Sequence, residues 1–365
     1  MYKVIVARYN EPIYYIARWK PLRYLLKWLY RQFFYGPHTV QLHITDKCNL
    51  KCIYCYSRGK ILKKINWKNL IKEAKRLGST TVDFLGGEPF LSNDLLELIK
   101  LAIRLRLNVN IYTNGLKLDK SVLKYCELHK NKVSFIIKFE YNKKMYKYIT
   151  KRDCFEEVCQ NIKYLSDIGF KVFTQTALTK KNWRFVESIM KKSRGLGAVP
   201  VFERYMPQNS KVDKELSIGK REFNYCIEKI KNFLEKEYGF EYLILPARIK
   251  GNICFCYNEI LSIQSDGTVL PCPFSSKEEA VGNVLKQPLK DIWTEYTNKK
   301  KTMWYSQIQA CKGCPHLEYC HGGCKSYTFL KTKSYGKDPL CDGNNSPLIG
   351  LCGRLMIKSV KNRIK

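Results

Sequence analysis

From Thr39 onward, short runs of β-branched and aromatic residues alternate with longer stretches in which apolar positions recur every three or four residues. The short runs predict strands over residues 40–45, 81–85, 108–112, 133–139, 171–176 and 199–203. The periodic stretches predict helices over 67–77, 94–106, 120–129, 155–168 and 183–193, with Asn66 and Ser92 as caps of the first two. Six strand–helix repeats predict an α/β fold, a partial (β/α)6 barrel open on one side, with its ligand site at the C-terminal ends of the strands.

Three stretches depart from this alternation. Residues 14–35 set Leu22, Leu25, Leu26 and Leu29 near helical spacing among aromatic and basic side chains, an amphipathic segment read as packing on the main domain in preference to lying on a membrane surface. After Arg204 the pattern fades into a linker, 206–217, and a basic helix near 220–236. Beyond Pro246 cysteines become dense and regular elements shorten. The expected organisation is an amphipathic segment (1–38), a barrel (39–210), a linker and helix (211–246), a small cysteine-rich domain (247–345) and a basic tail (346–365).

The 365 residues, 45% of them hydrophobic, suffice for one large domain and a smaller one. Lys and Arg outnumber Asp and Glu by 65 to 32, a formal charge of +33, which attracts anionic partners. The lysines are spread along the chain and no zinc-finger, recognition-helix or RNA-binding strand motif is present, so a solvated surface is the better reading than nucleic-acid binding. The sixteen cysteines suit a disulfide scaffold or a metal protein. Residues 1–10 lack the apolar run of a secretory signal, and no stretch nears the ~20 apolar residues of a membrane span. A reducing cytoplasm is expected, where clustered thiols bind metal or do redox work.

Cys48, Cys52 and Cys55 form C-x-x-x-C-x-x-C directly after the first strand. Three thiolates on a 4Fe-4S cube leave one iron open to another ligand, whereas a structural cluster or a zinc site normally has four protein ligands. A zinc knuckle is the alternative. Gly86-Gly87-Glu88-Pro89 follows the second strand and Thr113-Asn114-Gly115 the third, with glycines that let backbone approach a ligand closely.

With these motifs, and Tyr54 as the aromatic residue before the third cysteine, the chain resembles the radical SAM superfamily. The resemblance implies that the open iron chelates S-adenosylmethionine (SAM), and that the reduced cluster cleaves it to methionine and a 5'-deoxyadenosyl radical, which takes hydrogen from a substrate. It also implies that Tyr54, Gly86, Gly87, Glu88, Pro89, Thr113 and Asn114 shape the SAM pocket. Where many relatives carry serine and aspartate on the fourth strand, this chain reads Ser134 to Glu140 with Lys138 between. Lys138, Gln175 and Arg204 are SAM-binding candidates by strand position, a positive charge being favourable beside the SAM carboxylate.

Farther on, Cys311, Cys314, Cys320 and Cys324 form one block, preceded by Gly267 and Cys272 and followed by Cys341. This resembles the SPASM extension of radical SAM peptide maturases, which holds two auxiliary 4Fe-4S clusters. Carried over, one cluster uses Cys311, Cys314, Cys320 and Cys341. The other uses Cys254, Cys272 and Cys324, with Cys256 as a fourth ligand or a replacement for Cys254. Zinc is the competing reading here too. Cys126, Cys154, Cys159, Cys226 and Cys352 read as core residues. Asp266 and Asp342 are candidate proton acceptors, or simply turn residues.

The resemblance implies an enzyme acting on a peptide or protein, with a flavodoxin- or ferredoxin-type electron donor. A small-molecule enzyme of heme or cofactor biosynthesis is the alternative, and a non-catalytic iron–sulfur carrier is the reading from a different class.

Overall fold

The computed structural model describes residues 36–57, 63–208, 211–238, 257, 259–303, 309–314 and 322–341. The N-terminal amphipathic segment, Cys254, Cys256, Cys320, Cys352, Asp342 and the basic tail lie outside the described residues.

The six expected strands are present as β1 (Thr39–His43), β2 (Thr81–Leu85), β3 (Asn108–Thr113), β4 (Val133–Lys138), β5 (Lys171–Leu178) and β6 (Val199–Arg204). Between them run α1 (Trp67–Arg76), α2 (Leu95–Arg104), α3 (Lys120–Glu127), α4 (Lys143–Thr150), α5 (Phe155–Asp167) and α6 (Val186–Gly195). Asn66 caps α1 as expected, its side chain accepting the Asn69 N–H at 3.0 Å. Ser92 does not cap α2. It closes the 3₁₀ turn Pro89–Leu91, and α2 begins three residues later, at Leu95 after Asp94. Residues Trp183–Phe185 form a separate 3₁₀ turn ahead of α6. Helix α4 was not expected: its run KKMYKYIT is short and half polar, yet Asn142 caps it at 2.8 Å and Met145, Tyr146 and Ile149 bury one face.

Beyond β6 come α7 (Asp213–Leu216), α8 (Lys220–Tyr238), β7 (Ile260–Ile263), β8 (Thr268–Leu270), β9 (Gly282–Asn283), α9 (Leu289–Met303) and α10 (Lys325–Thr332). Strand β7 pairs in parallel with β1, so the cysteine-rich region continues the barrel sheet, in the order β6-β5-β4-β3-β2-β1-β7-β8-β9. One hydrophobic core runs from Val40 through the helices to Cys272, Trp293 and Tyr327.

The loop after β1 reaches across the strand ends. At ~4.8 Å per strand a flat sheet would hold β1 and β6 roughly 24 Å apart, yet the Tyr54 ring, in the loop after β1, meets that of Tyr205, just after β6, at 5.9 Å. Strands β1 and β2 are buried on both faces, as parallel strands covered on both sides must be. Asp83 accepts from Gln41 at 2.8 Å and from Asn110 at 2.7 Å, across β1, β2 and β3.

Candidate active site

The loop carrying Cys48, Cys52 and Cys55 is fastened on two sides. On one, Gly87 N–H donates to the Thr45 carbonyl at 2.7 Å and Glu88 N–H to that of Lys47 at 2.8 Å. This backbone approach requires glycine: a Cβ on Gly86 would lie 2.1 Å from the Thr45 oxygen, and on Gly87 2.3 Å from that of Lys47, while Gly86 has φ +141°. The close approach expected toward a ligand is thus first an approach to the cysteine loop itself. On the other side, Lys51 and Ile53 donate N–H groups to the Thr150 and Ile149 carbonyls of α4, at 3.1 and 2.9 Å.

So held, the three cysteines line one cavity at the C-terminal mouth of the barrel, together with the ends of β2 to β6. Burial raises the Cys48 thiol pKa, with the charges of Glu88 and Cys55 adding to the effect. Its sulfur accepts the Leu50 N–H at 3.5 Å and the Asn114 amide at 3.9 Å. Among the described residues no three His, Cys, Asp or Glu donors converge on a single ion. Cys48, Cys52 and Cys55 are the cysteines of the cavity lining, the donor set of a cluster held by three thiolates.

Gly86, Gly87, Thr113 and Asn114 line the cavity, whereas Glu88 and Pro89 stand behind it. The fully buried Glu88 carboxylate accepts the Thr113 hydroxyl at 2.7 Å, the Asn114 N–H at 2.7 Å and the Phe90 N–H at 3.2 Å. It is a strut joining the ends of β2 and β3. Burial pushes its pKa up to about 7 against the pull of those bonds.

Tyr54, Lys138 and Glu140 form the next wall. Lys138 Nζ donates to Glu140 at 3.1 Å and to the Tyr54 hydroxyl, which itself donates to Glu140 at 3.1 Å. The lysine charge is therefore neutralised within the wall. Gln175 donates its amide to Glu203 Oε2 at 2.8 Å. Glu203, which was not among the expected site residues, lines the cavity, and burial pushes its carboxyl pKa up to about 7, opposed by the Lys138 charge and the Gln175 bond. The neighbouring Arg204 borders the cavity, but its guanidinium pairs with Asp338 at 2.8 Å in a buried contact. A strand-end position was the available signal for both, and only the phase of the strand's alternation separates them.

In the C-terminal region, burial raises the Cys311 thiol pKa, and the charges of Cys341 and Cys314 raise it further. Three of the four cysteines expected on one auxiliary cluster are therefore neighbours. Cys272 is buried. Cys324, at the N-cap of α10, accepts the Tyr327 N–H at 3.4 Å. Cys126, Cys154, Cys159 and Cys226 are core residues as expected. Asp266 is away from the cavity, in the β7–β8 turn, where it accepts the Thr268 N–H at 3.0 Å and pairs with Lys277 at 3.3 Å.

Residues 42–192 match the radical SAM superfamily, and residues 254–315 match SPASM, an iron–sulfur cluster-binding domain. The antilisterial bacteriocin subtilosin biosynthesis protein AlbA of Bacillus subtilis (strain 168) is 25% identical over 325 residues, covering 84% of this chain and 70% of its own. Fe-coproporphyrin III synthase of Methanosarcina barkeri (strain Fusaro / DSM 804) is 24% identical over 350 residues, covering 82% and 86%. Streptococcus suis SuiB, solved bound to S-adenosylmethionine and to the precursor peptide SuiA, superposes with TM-scores of 0.67 and 0.66 at 18% identity. The match covers 88% of this chain and 81% and 80% of the two SuiB chains. This last likeness shows a shared fold.

Proposed function

This chain belongs to the radical SAM superfamily and carries a C-terminal SPASM domain, and from that premise we propose that it modifies a peptide by removing hydrogen at a residue held in the barrel mouth. Radical SAM and SPASM domains imply 4Fe-4S clusters, and the chain is an enzyme. When bound, the barrel cluster and SAM supply one-electron chemistry that abstracts a hydrogen atom.

The observation that carries the peptide reading is the charge of the cavity wall. Lys138 is neutralised by Glu140 and Arg204 by Asp338, whereas the hydrogen-bond partner of Glu203 among the described residues is the neutral Gln175 amide. A carboxylate bonded to an amide, with the nearby Lys138 charge already bonded to Glu140, suits the N–H donors of a peptide and disfavours a substrate rich in propionates. AlbA and SuiB, linked by their names to a bacteriocin and a precursor peptide, support the same reading.

In this reading Cys48, Cys52 and Cys55 hold the SAM-binding cluster. Tyr54, Gly86, Gly87, Thr113, Asn114, Lys138 and Gln175 shape the wall; after the hydrogen atom is taken, Glu203 Oε would accept the proton released by the substrate radical and an auxiliary cluster would take up the electron released with it. Cys311, Cys314, Cys320 and Cys341 hold one auxiliary cluster, and Cys254 or Cys256, Cys272 and Cys324 the other. A flavodoxin- or ferredoxin-type protein supplies electrons in a reducing, cytoplasmic compartment. No helix among the described residues is long and apolar enough to cross a membrane.

Anaerobic reconstitution with iron, sulfide, SAM, reductant and short peptides encoded beside the gene tests this. The expected result is 5'-deoxyadenosine formed in step with a hydrogen-loss mass shift on one peptide, both abolished by Cys48→Ala. A second reading, tetrapyrrole chemistry, is favoured by the Methanosarcina relative. It takes over if iron-coproporphyrin and not a peptide changes mass. No 5'-deoxyadenosine from a fully loaded protein would leave only the carrier reading.

A further inference from the structure

Asp338 sits where two elements of the C-terminal region meet the barrel. Its carboxylate accepts Arg204 Nη1 at 2.8 Å and the Cys324 N–H at 2.9 Å on one oxygen, and the Leu340 N–H at 2.9 Å on the other. Its own carbonyl accepts the Cys341 N–H at 2.9 Å, and its N–H donates to the Gly322 carbonyl at 2.9 Å. Gly323 leaves room for this: a Cβ there would lie 2.4 Å from that of Asp338. The Arg204 guanidinium lies between the rings of Phe223 and Tyr327, 4.9 and 5.0 Å from their centroids. Arg204 and Asp338 are 2% and 1% exposed, so each charge is held by the other at low dielectric.

We propose that Arg204 and Asp338 are a positioning pair through which the sixth barrel strand sets both auxiliary clusters, one by way of Cys324 and the other by way of Cys341. The inference rests on the assignment of those cysteines to different clusters. Two consequences follow from the charges. A cluster gains negative charge on reduction, so a nearby positive charge favours the reduced form and a negative charge opposes it. Removing the Asp338 charge leaves Arg204 uncompensated and raises the auxiliary midpoint potentials; removing the Arg204 charge lowers them.

The test is potentiometric titration of the reconstituted full-length protein followed by electron paramagnetic resonance, with the barrel cluster identified by its response to SAM. Asp338→Asn keeps an acceptor for the Cys324 N–H and is expected to shift auxiliary signals to higher potential. Arg204→Leu is expected to shift them lower, and Arg204→Lys to stay near wild type. Shifts of the same sign in Asp338→Asn and Arg204→Leu, or unshifted potentials at full iron loading, overturn the proposal. If Arg204→Leu loses iron, the contrast between Asp338→Asn and Arg204→Lys decides. A wild-type protein that loads only the SAM-responsive cluster sinks the underlying ligand assignment instead, a separate outcome.

Discussion

Glu203 has one amide partner and opens into the cavity, and its carboxyl pKa, pushed up to about 7, has two consequences. Between the unfolded carboxyl value and about 7 the folded chain holds the extra proton, so stability falls as pH rises through that window. Glu203→Gln should flatten this fall by on the order of 1–2 kcal/mol, since cavity water screens part of the effect. Denaturant midpoints measured from pH 4 to 8 check it, and parallel slopes in variant and wild type contradict it. Substrate turnover should run the other way, rising toward a plateau above about pH 7 as the carboxylate becomes free to accept a proton. At Gly86, where φ is +141° and a Cβ would meet Thr45 oxygen at 2.1 Å, alanine should destabilise the chain by ~2 kcal/mol or more and lower iron uptake at the barrel site. A Gly86→Ala protein with unchanged melting temperature and full iron would contradict this account of the motif.

At the scale of elements, the strands and most helices could be read locally because each carries its own periodicity over several residues. Helix α4 could not, since one turn of apolar contacts in a lysine-rich run is too little signal. Yet α4 receives the cysteine loop through the Lys51 and Ile53 N–H groups. Weakening it should loosen that loop. Asn142→Ala removes a cap bond of 2.8 Å and is expected to destabilise by ~1 kcal/mol. It should also speed hydrogen exchange at the Lys51 and Ile53 amides while leaving those of β3 unchanged. Protection unchanged at both amides would mean that α4 does not hold the loop.

For the whole molecule, the pairing of β1 with β7 makes the C-terminal region part of the barrel's own sheet. A chain ending at residue 246 exposes the β1 edge along Thr39 to Leu42, in the middle of the sheet. Unpaired strand edges of this kind associate. The fragment is expected to elute as soluble aggregate or to precipitate, and a monodisperse, folded monomer in size-exclusion chromatography would refute the shared-sheet account. The buried Arg204 and Asp338 contact fastens the same two regions from the opposite edge strand, β6, across 134 residues of sequence.

Local spacing alone determined the six strand–helix repeats, the cysteine trio, the glycine turn beside it and the later cysteine block, because each depends on neighbours within a few residues. Tertiary structure decided what distance along the chain conceals. Glu88 props the ends of two strands; Glu203 lines the cavity while the charge of its neighbour Arg204 is paired with Asp338; and Asp338 meets a strand far earlier in the chain. Those outcomes depend on which way a side chain points at a strand end and on which segments pack side by side, and periodicity carries neither.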